Sequence, residues 1–427
     1  MKKYKIVNDD VLHWADHYKG KKFHALLTDS PYNLDTIRKR FGKDGSKPPK
    51  GGVYQRSVRG FMSSDWDTDI AMQPETWAAL GEHLYPGAFG MTFGGSRTAH
   101  RIAVAIEDAG FIIHPMIGWC YGSGFPKATR VKGHKEFDGH RYGMQALKPA
   151  MEPIIVFQKP YENKPVQDIT KYGSGALNID AGRIPTTDEY VINRFDDGMK
   201  PFGHGAGHKY KSVHVPQSNP KNRRGVVGSD FGFNGSSLEK YQDAQRKSIE
   251  QMESLGRWPA NFIIDDNVAH VLDAQSGHLK SGKFTKDTVI NSDWGYTGGK
   301  RSPLPLSNTI GDEGGASRFF YNVQTRLDAT DPFIYQKKPS GKERDAGLNG
   351  KNPHPTVKSL DLNRYLASLL LPPNGYAPRR LLAPFSGVSS EMIGGLLAGW
   401  EYVEGIELGK EYCVIGEKRI KYWLRKN

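Results

Sequence analysis

The chain has 427 residues, of which 37% are hydrophobic and 11% aromatic, so it can fold around a sizeable core and is not a disordered protein. Its formal net charge of +13 favours a polyanionic partner, nucleic acid first, although a basic surface without a specific partner fits the composition equally well. Two cysteines, Cys120 and Cys413, exclude a disulfide framework, and neither a signal peptide nor an apolar run of the ~20 residues of a membrane helix is recognisable, so we expect a cytoplasmic protein without a membrane partner.

The first 160 residues alternate apolar runs with amphipathic stretches. Apolar runs predict strands, and amphipathic stretches predict helices. The predicted strands are 5–7, 23–27, 87–93, 111–119 and 151–157, and the predicted helices are 73–84 and 100–109. This alternation predicts a doubly wound α/β layer around a mostly parallel sheet.

The composition changes after residue 160. Residues 161–315 are rich in Gly, Asn, Ser, Lys and Arg and poor in apolar residues, apart from islands such as 258–264. Regular patterns return near 317–321. They continue with a helix at 360–371, a strand at 380–383, a helix at 391–398 and a strand at 401–407. We therefore expect two regular segments, 1–160 and 316–427, separated by an irregular insertion at 161–315.

Asp29-Ser30-Pro31-Tyr32 directly follows the buried strand predicted at 23–27. A carboxylate, a proline-stiffened backbone and an aromatic ring at a strand end can hold a flat ring by its exocyclic amino group. The alternative is a strand followed by a proline turn, with Asp29 as a turn or cap residue.

A second informative segment, residues 383–390, joins a predicted strand to a predicted helix through small residues. Such a loop lets backbone N–H groups approach a ligand. About twenty residues later, Glu407 ends the next strand, where a carboxylate can accept both hydroxyls of a ribose. The segment fits a nucleoside site, and it also fits an ordinary β-α-β unit with a surface glutamate.

Together the two segments resemble the amino-group DNA methyltransferases, which combine a D-P-P-Y-type tetrad with an F-x-G-x-G cofactor loop. The tetrad precedes the loop in this chain, an order that resembles the β class. Five further segments resemble phage and prophage members: 60–62, 65–67, 93–100, 122–127 and 147–153. The segment 354–358 resembles the stretch that leads into the cofactor half.

The resemblance implies a Rossmann-like sheet with one late antiparallel strand, S-adenosylmethionine as cofactor and double-stranded DNA as partner, in a bacterial or phage-infected cytosol, with or without an accompanying restriction endonuclease. It implies that 1–160 is the catalytic half, 161–315 the target-recognition insertion and 316–427 the cofactor half of one sheet. The residues it implies for the cofactor are Phe385, Ser386, Gly387, Glu407, Thr356 and Lys358. Whether the protein is a monomer or a dimer is left open.

The tetrad suggests how a base nitrogen becomes reactive. The lone pair of an exocyclic amine is delocalised into the ring. Asp29 can accept one amino hydrogen and the Ser30 carbonyl the other, while Tyr32 stacks on the base and Pro31 fixes the backbone. The base must leave the duplex to reach such a site.

Aspartate at the first tetrad position resembles adenine-N6 enzymes, and cytosine-N4 methylation is the alternative. Carbon-5 methylation is disfavoured, because Cys120 lacks the Pro-Cys context of that family.

The chain departs from the family pattern in the tetrad and in the cofactor loop. Ser30 replaces a proline, Ala383 an acid and Ser359 another proline, and 388–391 replaces S-G-T-T. Ser389 adds a Cβ where glycine permits a positive φ. A DNA-binding decoy that has lost methyl transfer is therefore a further alternative.

Other signals are weaker. We expect His204, His208 and His214 to lie in a solvated loop, not a zinc site, and no other metal site is predicted. The basic runs at 209–211, 221–224 and 300–301 suggest DNA contacts within the insertion. Asp65 and Asp67 suggest a loop over the cofactor pocket.

Overall fold

The computed structural model describes residues 3–33, 68–121, 126–183, 258–264, 266–280, 289–290, 304–305, 313–322 and 339–426. Several predictions concern residues outside these ranges. They include the loop at 60–67, the three histidines of the insertion and its basic runs at 209–211, 221–224 and 300–301.

Strands account for much of the described chain. In chain order they are β1 (Tyr4–Asn8), β2 (Phe23–Thr28), β3 (Leu84–Phe93), β4 (Ile112–Cys120), β5 (Lys127–Arg130), β6 (Arg141–Gln145), β7 (Met151–Gln158), β8 (Phe262–Ile264), β9 (Leu279–Lys280), β10 (Val289–Ile290), β11 (Leu304–Pro305), β12 (Glu313–Gly314), β13 (Tyr321–Asn322), β14 (Arg380–Ala383) and β15 (Tyr402–Glu407).

The helices lie between these strands. In chain order they are α1 (Val11–His17), α2 (Pro74–Glu82), α3 (Ala99–Asp108), α4 (Pro165–Tyr172), α5 (Asp266–Ser276), α6 (Gly341–Arg344), α7 (Leu360–Leu370), α8 (Ser390–Ala398) and α9 (Lys410–Lys426). Among the described residues, every helix is too short or too polar to cross a membrane.

Nine strands form one sheet in the order β1-β15-β14-β2-β3-β7-β4-β8-β13. Its strand pairs are parallel except those of β7, which runs antiparallel to both β3 and β4. The predicted Rossmann-like α/β class and its single antiparallel strand therefore agree with the observed topology.

The order of the strands decides which loops meet. β14 lies between β2 and β15, with Leu381 beside Ala25 on one side and beside Val403 on the other. Because these three strands are parallel, the loops at their carboxyl ends emerge side by side at one edge of the sheet. In open α/β sheets that edge is where ligands bind.

The sheet is covered on both faces, as expected for parallel strands. Every residue of β2 is buried. One apolar cluster contains Leu366 of α7 and Met392 of α8, and a second contains Trp77 of α2 and Ile102 of α3.

The chain divides into two compact units. The first comprises Met1–Ile184, Trp258–Leu272 and Phe319–Asn427, and the second comprises Pro185–Arg257 and Asp273–Arg318. The nine-stranded sheet belongs to the first. In the second, β9 pairs with β12, β10 pairs with β11, and Ser317 donates to the Asp273 carboxylate.

Parts of the predicted insertion thus belong to the first unit. In α4, the buried Asp168 carboxylate accepts hydrogen bonds from the backbone amides of Glu162 and Asn163, which lie in the turn before the helix. β8 pairs with β4 in the main sheet. Target recognition by residues 161–315 remains a prediction.

The start of α8 depends on a close contact with α9. Ser389, just before α8, has φ +67°, and its Oγ is buried without a hydrogen-bond partner among the described residues. A Cβ added to Gly416 of α9 would lie 2.3 Å from that Oγ. Gly416 therefore leaves room for the side chain of Ser389.

We predict that Gly416→Ala destabilises the protein by about 1–3 kcal/mol, because it overpacks this contact. Ser389→Gly should relieve the left-handed strain and remove the buried hydroxyl. The double variant should therefore recover most of the loss, as measured by urea denaturation. If the changes in unfolding free energy of the two single variants simply added in the double variant, the two side chains would not be in contact.

Candidate active site

A cavity of about 210 Å³ lies at the carboxyl ends of β2, β14 and β15. It is lined by all ten residues that the sequence singles out: Asp29, Ser30, Pro31, Tyr32, Thr356, Lys358, Phe385, Ser386, Gly387 and Glu407. Two segments more than 300 positions apart in the chain therefore meet at one site. The roles of these residues remain predictions.

The tetrad is held by buried hydrogen bonds to its neighbours in the sheet. The Thr28 hydroxyl donates to the Pro384 carbonyl, which ties the end of β2 to the loop after β14. Ser30 Oγ lies 2.9 Å from Thr92 Oγ1 of β3. Ser30, the second residue of the tetrad, thus has a hydrogen-bond partner inside the core.

Lys358 binds the first tetrad residue. Its Nζ donates to Asp29 Oδ2 over 2.7 Å and lies 3.5 Å from Glu152 Oε2. The ammonium also lies 5.1 Å from the ring centroids of Tyr32 and Phe93. The sequence places Lys358 among the cofactor residues, but its charged end contacts the tetrad.

Burial and charge act in opposite directions within this cluster. Burial raises the pKa of Asp29, and the Lys358 ammonium opposes that rise. Burial also lowers the pKa of Lys358, but Asp29 and Glu152 outweigh it, so the pKa of Lys358 lies above its usual value. Asp29 Oδ1 is buried and accepts no hydrogen bond from the described residues. Oδ1 is therefore a buried acceptor on a residue that lines the cavity.

Glu152, at the start of β7, joins this cluster from a third direction. Besides Lys358, it accepts hydrogen bonds from the hydroxyls of Tyr32, over 3.4 Å, and Tyr121, over 3.3 Å. Sequence reasoning did not assign it a site role. The only sequence feature that pointed to Glu152 was its position in the segment 147–153, which resembles phage and prophage methyltransferases.

The loop after β14 has an unusual backbone. Phe385, Gly387 and Ser389 have φ of +54°, +48° and +67°. A Cβ on Gly387 would lie 3.0 Å from His354 Nε2, so glycine permits both the φ and the close approach. The N–H groups of Ser386 and Gly387 are bound within the protein, by the Ile406 carbonyl and by Glu407, so the loop is held in this shape by its own hydrogen bonds.

Glu407 holds this loop in place. Its Oε2 accepts the Gly387 N–H and its Oε1 the Gly409 N–H, both over 2.7 Å. Burial raises the pKa of Glu407, and these two backbone hydrogen bonds oppose the rise. Since an ionised carboxylate offers about four acceptor sites, Glu407 retains capacity for a ligand.

His354 completes the wall of the cavity next to this loop. Its ring packs edge-on against Tyr412, and its Nδ1 accepts the Thr356 N–H over 3.3 Å. Burial, with the nearby positive charges of Lys358 and two arginines, lowers the pKa of His354 to about 4. The imidazole is therefore neutral at pH 7.

The cavity carries an excess of negative charge. Among the described residues that line it, five bear carboxylates and one bears an ammonium group: Asp9, Asp10, Asp29, Glu391, Glu407 and Lys358. Asp10 also caps α1, where it accepts from the amides of Leu12 and His13. Such a lining favours a cationic ligand over a phosphate-bearing one. Within the described ranges, no three His, Cys, Asp or Glu side chains are arranged to hold a metal ion.

Glu391 is an acid in the first turn of α8. It is buried in the cavity wall, and Asn363 Nδ2 lies 3.3 Å from its Oε1. Burial, and then the charge of Asp29, raise the pKa of Glu391 to about 7, although Lys358 and Arg419 oppose the rise. The sequence pointed to an unusual residue at position 391 but did not predict that its carboxyl group would be buried.

We predict that Lys358→Met destabilises the protein by about 3–5 kcal/mol at pH 8, because it leaves two mostly covered carboxylates, Asp29 and Glu152, without a counter-charge. Protonation of Asp29 relieves that cost, so the loss should be smaller at pH 5, as measured by urea denaturation. Lys358→Met combined with Asp29→Asn should recover part of it. Lys421→Met, which removes an exposed lysine paired with Glu417, is the matched control and should change stability little. A loss equal at both pH values would argue against a buried charge cluster.

We also predict that Glu391→Gln stabilises the protein at pH 8 but not at pH 4. The folded-state pKa of Glu391 is raised from 4.5 to about 7, so the wild type loses stability as pH rises through that window. The gain should reach ~3 kcal/mol at most, at about 1.4 kcal/mol per pKa unit. Glu411→Gln, at an exposed position of α9, is the control. If the free energy of unfolding depended on pH in the same way for wild type and Glu391→Gln, the raised pKa of Glu391 would be refuted.

Comparison with models of known protein families found no match. In sequence, the chain is similar to the Type II methyltransferase M.HindIII of Haemophilus influenzae. The two are 25% identical over 200 residues, which cover 40% of this chain and 64% of the relative. The chain thus spans less than two thirds of the length of that curated relative.

Two solved structures are also similar. The M1.HpyAVI–SAM complex is 14% identical, with 98% of both chains covered and a TM-score of 0.38. The cytosine-N4-specific PvuII DNA methyltransferase is 11% identical, with 98% of this chain and 88% of that chain covered and a TM-score of 0.40. These low scores bear on neither fold nor function, and the likeness that counts is that of two fifths of this chain to a Type II methyltransferase.

Proposed function

We propose that this protein transfers a methyl group from S-adenosylmethionine to the N6 amino group of adenine within a specific sequence of double-stranded DNA. One observation carries the proposal: the tetrad at 29–32 and the loop at 385–387 line one cavity with Glu407. The sequence likeness to a Type II methyltransferase supports the same reaction class.

The cofactor assignment is supported by the chemistry of the lining. S-adenosylmethionine would supply a methyl group on a positively charged sulfur. The excess of carboxylates suits its sulfonium and ammonium charges and disfavours nucleotides with phosphates. In this proposal the loop at 385–387 and Thr356 hold the nucleoside, and Glu407 accepts its ribose hydroxyls.

The base would bind at the tetrad. Asp29 Oδ1, which has no partner among the described residues, would accept one amino hydrogen, and the Ser30 carbonyl would accept the other. Tyr32 would stack on the flipped base. The amino nitrogen would take the methyl group that S-adenosylmethionine supplies, and the electron pair of the broken S–C bond would stay on sulfur. The nitrogen then releases a proton, for which Asp29 is the tetrad's acceptor.

Adenine is preferred over cytosine because an aspartate at the first tetrad position resembles adenine-N6 enzymes. Both amines need the same two acceptors, so the cavity fits either. In this proposal 1–160 and 316–427 form the catalytic and cofactor halves, and 161–315 recognises the target in an enzyme of phage type.

We predict that Asp29→Ala lowers methyl transfer at least ~100-fold, the usual cost of removing one preorganised hydrogen-bonding group. Calorimetry on the same variant measures how much of the loss is a loss of cofactor binding, because Asp29→Ala also removes the ion pair with Lys358. Asp16→Ala, which removes an exposed aspartate of α1, is the matched control. Unimpaired transfer by Asp29→Ala would refute the tetrad's role.

The modified base should be N6-methyladenine when nucleosides from treated DNA are analysed by mass spectrometry. N4-methylcytosine would instead establish the alternative specificity. DNA binding without S-adenosylmethionine binding in calorimetry would favour the decoy.

A further inference from the structure

A β-hairpin between β4 and β7 stands out from the rest of the first unit. β5 and β6 pair antiparallel with each other and form a separate two-stranded sheet. Of residues 126–150, none of those whose side chains are described is buried. This hairpin therefore adds nothing to the core that would explain its presence.

The hairpin is attached at the active site. Its stem is closed by the Tyr121 N–H, which donates to the Ala150 carbonyl over 3.0 Å. The Tyr121 hydroxyl also contacts Glu152, and Glu152 contacts Lys358, which binds Asp29. A short chain of contacts thus connects both ends of the hairpin to the tetrad.

The hairpin concentrates positive charge. Residues 126–150 contain six Lys or Arg residues and two acids, so 25 residues carry +4 of the net charge of +13. The basic side chains are interleaved with exposed apolar ones: Phe137 is 45% exposed, Tyr142 57% and Leu147 86%. The Phe137 ring packs edge-on against His134 and His140, whereas Tyr142 and Leu147 are mostly exposed to solvent.

This combination matches one class of partner. Lys and Arg bind phosphates, while aromatic and aliphatic side chains pack on sugars and bases or wedge between them. A protein partner would explain the apolar groups but not the surplus of positive charge. We propose that the hairpin 126–150 binds duplex DNA beside the target base, with its basic side chains on phosphates and Leu147 against the bases or sugars. This inference rests on the proposed function, and it adds a DNA contact outside the insertion.

The salt dependence of DNA binding tests whether the basic side chains of the hairpin contact phosphates. Arg130, Lys132, Lys135 and Arg141 are changed together to Gln, and fluorescence anisotropy measures binding to a random-sequence duplex between 50 and 200 mM salt. Each lost phosphate contact should lower the slope of log K against log salt by about 0.9, so the slope should fall by roughly 3–4 and affinity at low salt at least ~10-fold. Thermal unfolding and cofactor calorimetry should match wild type.

The matched control changes four other exposed basic residues, Lys19, Lys21, Lys421 and Arg425, to Gln. It should bind with the wild-type slope. Equal slopes for the hairpin variant, the control and wild type would overturn the inference, as would a wild-type protein that does not bind duplex DNA. Because anisotropy does not require methyl transfer, failure of the proposed reaction is scored separately by the transfer assay.

Leu147 is tested on its own. Leu147→Ser should weaken binding about fivefold or more with an unchanged salt slope, because an apolar contact releases no counterions. Unchanged affinity would overturn the contact assigned to Leu147.

Discussion

The ion pair between Asp29 and Lys358 is the interaction on which the rest of the site depends. It joins residues 329 positions apart over 2.7 Å, with the side chain of Lys358 buried and that of Asp29 only 14% exposed. A buried charge of this kind persists only beside its opposite. The segment that carries Lys358 must therefore lie across the end of β2, which closes one wall of the cavity and aims the carboxylate of Asp29.

A second constraint is electrostatic. Lys358 offsets one of the two carboxylates that face it, and Glu391 and Glu407 add further negative charge nearby. The folded chain bears this cost without a ligand, since buried carboxylates raise one another's pKa. A cation that enters the cavity relieves the repulsion. The repulsion lowers the stability of the folded protein without a ligand, and binding of a cationic ligand would restore that stability.

Much of the sheet could be predicted from apolar runs, because strands such as β2 are buried at every position. α1 and α9 were missed. Both bury residues at helical spacing, but α1 has only seven residues, and the buried stripe of α9 includes Gly416 and Arg419, so its apolar content is low. The ten site residues could be named from motifs, but their contacts could not. Glu152 reaches Lys358 only because β7 runs antiparallel and begins at the ligand edge, which depends on strand order rather than on local sequence.

The contact between Ser389 and Gly416 also couples two positions that are far apart in the chain. A Cβ at 416 would lie 2.3 Å from the Oγ of Ser389, so the side chain at 389 has room because 416 lacks one. Glycine at 389 would free that space for a larger residue at 416. The residue tolerated at either position therefore depends on the residue at the other.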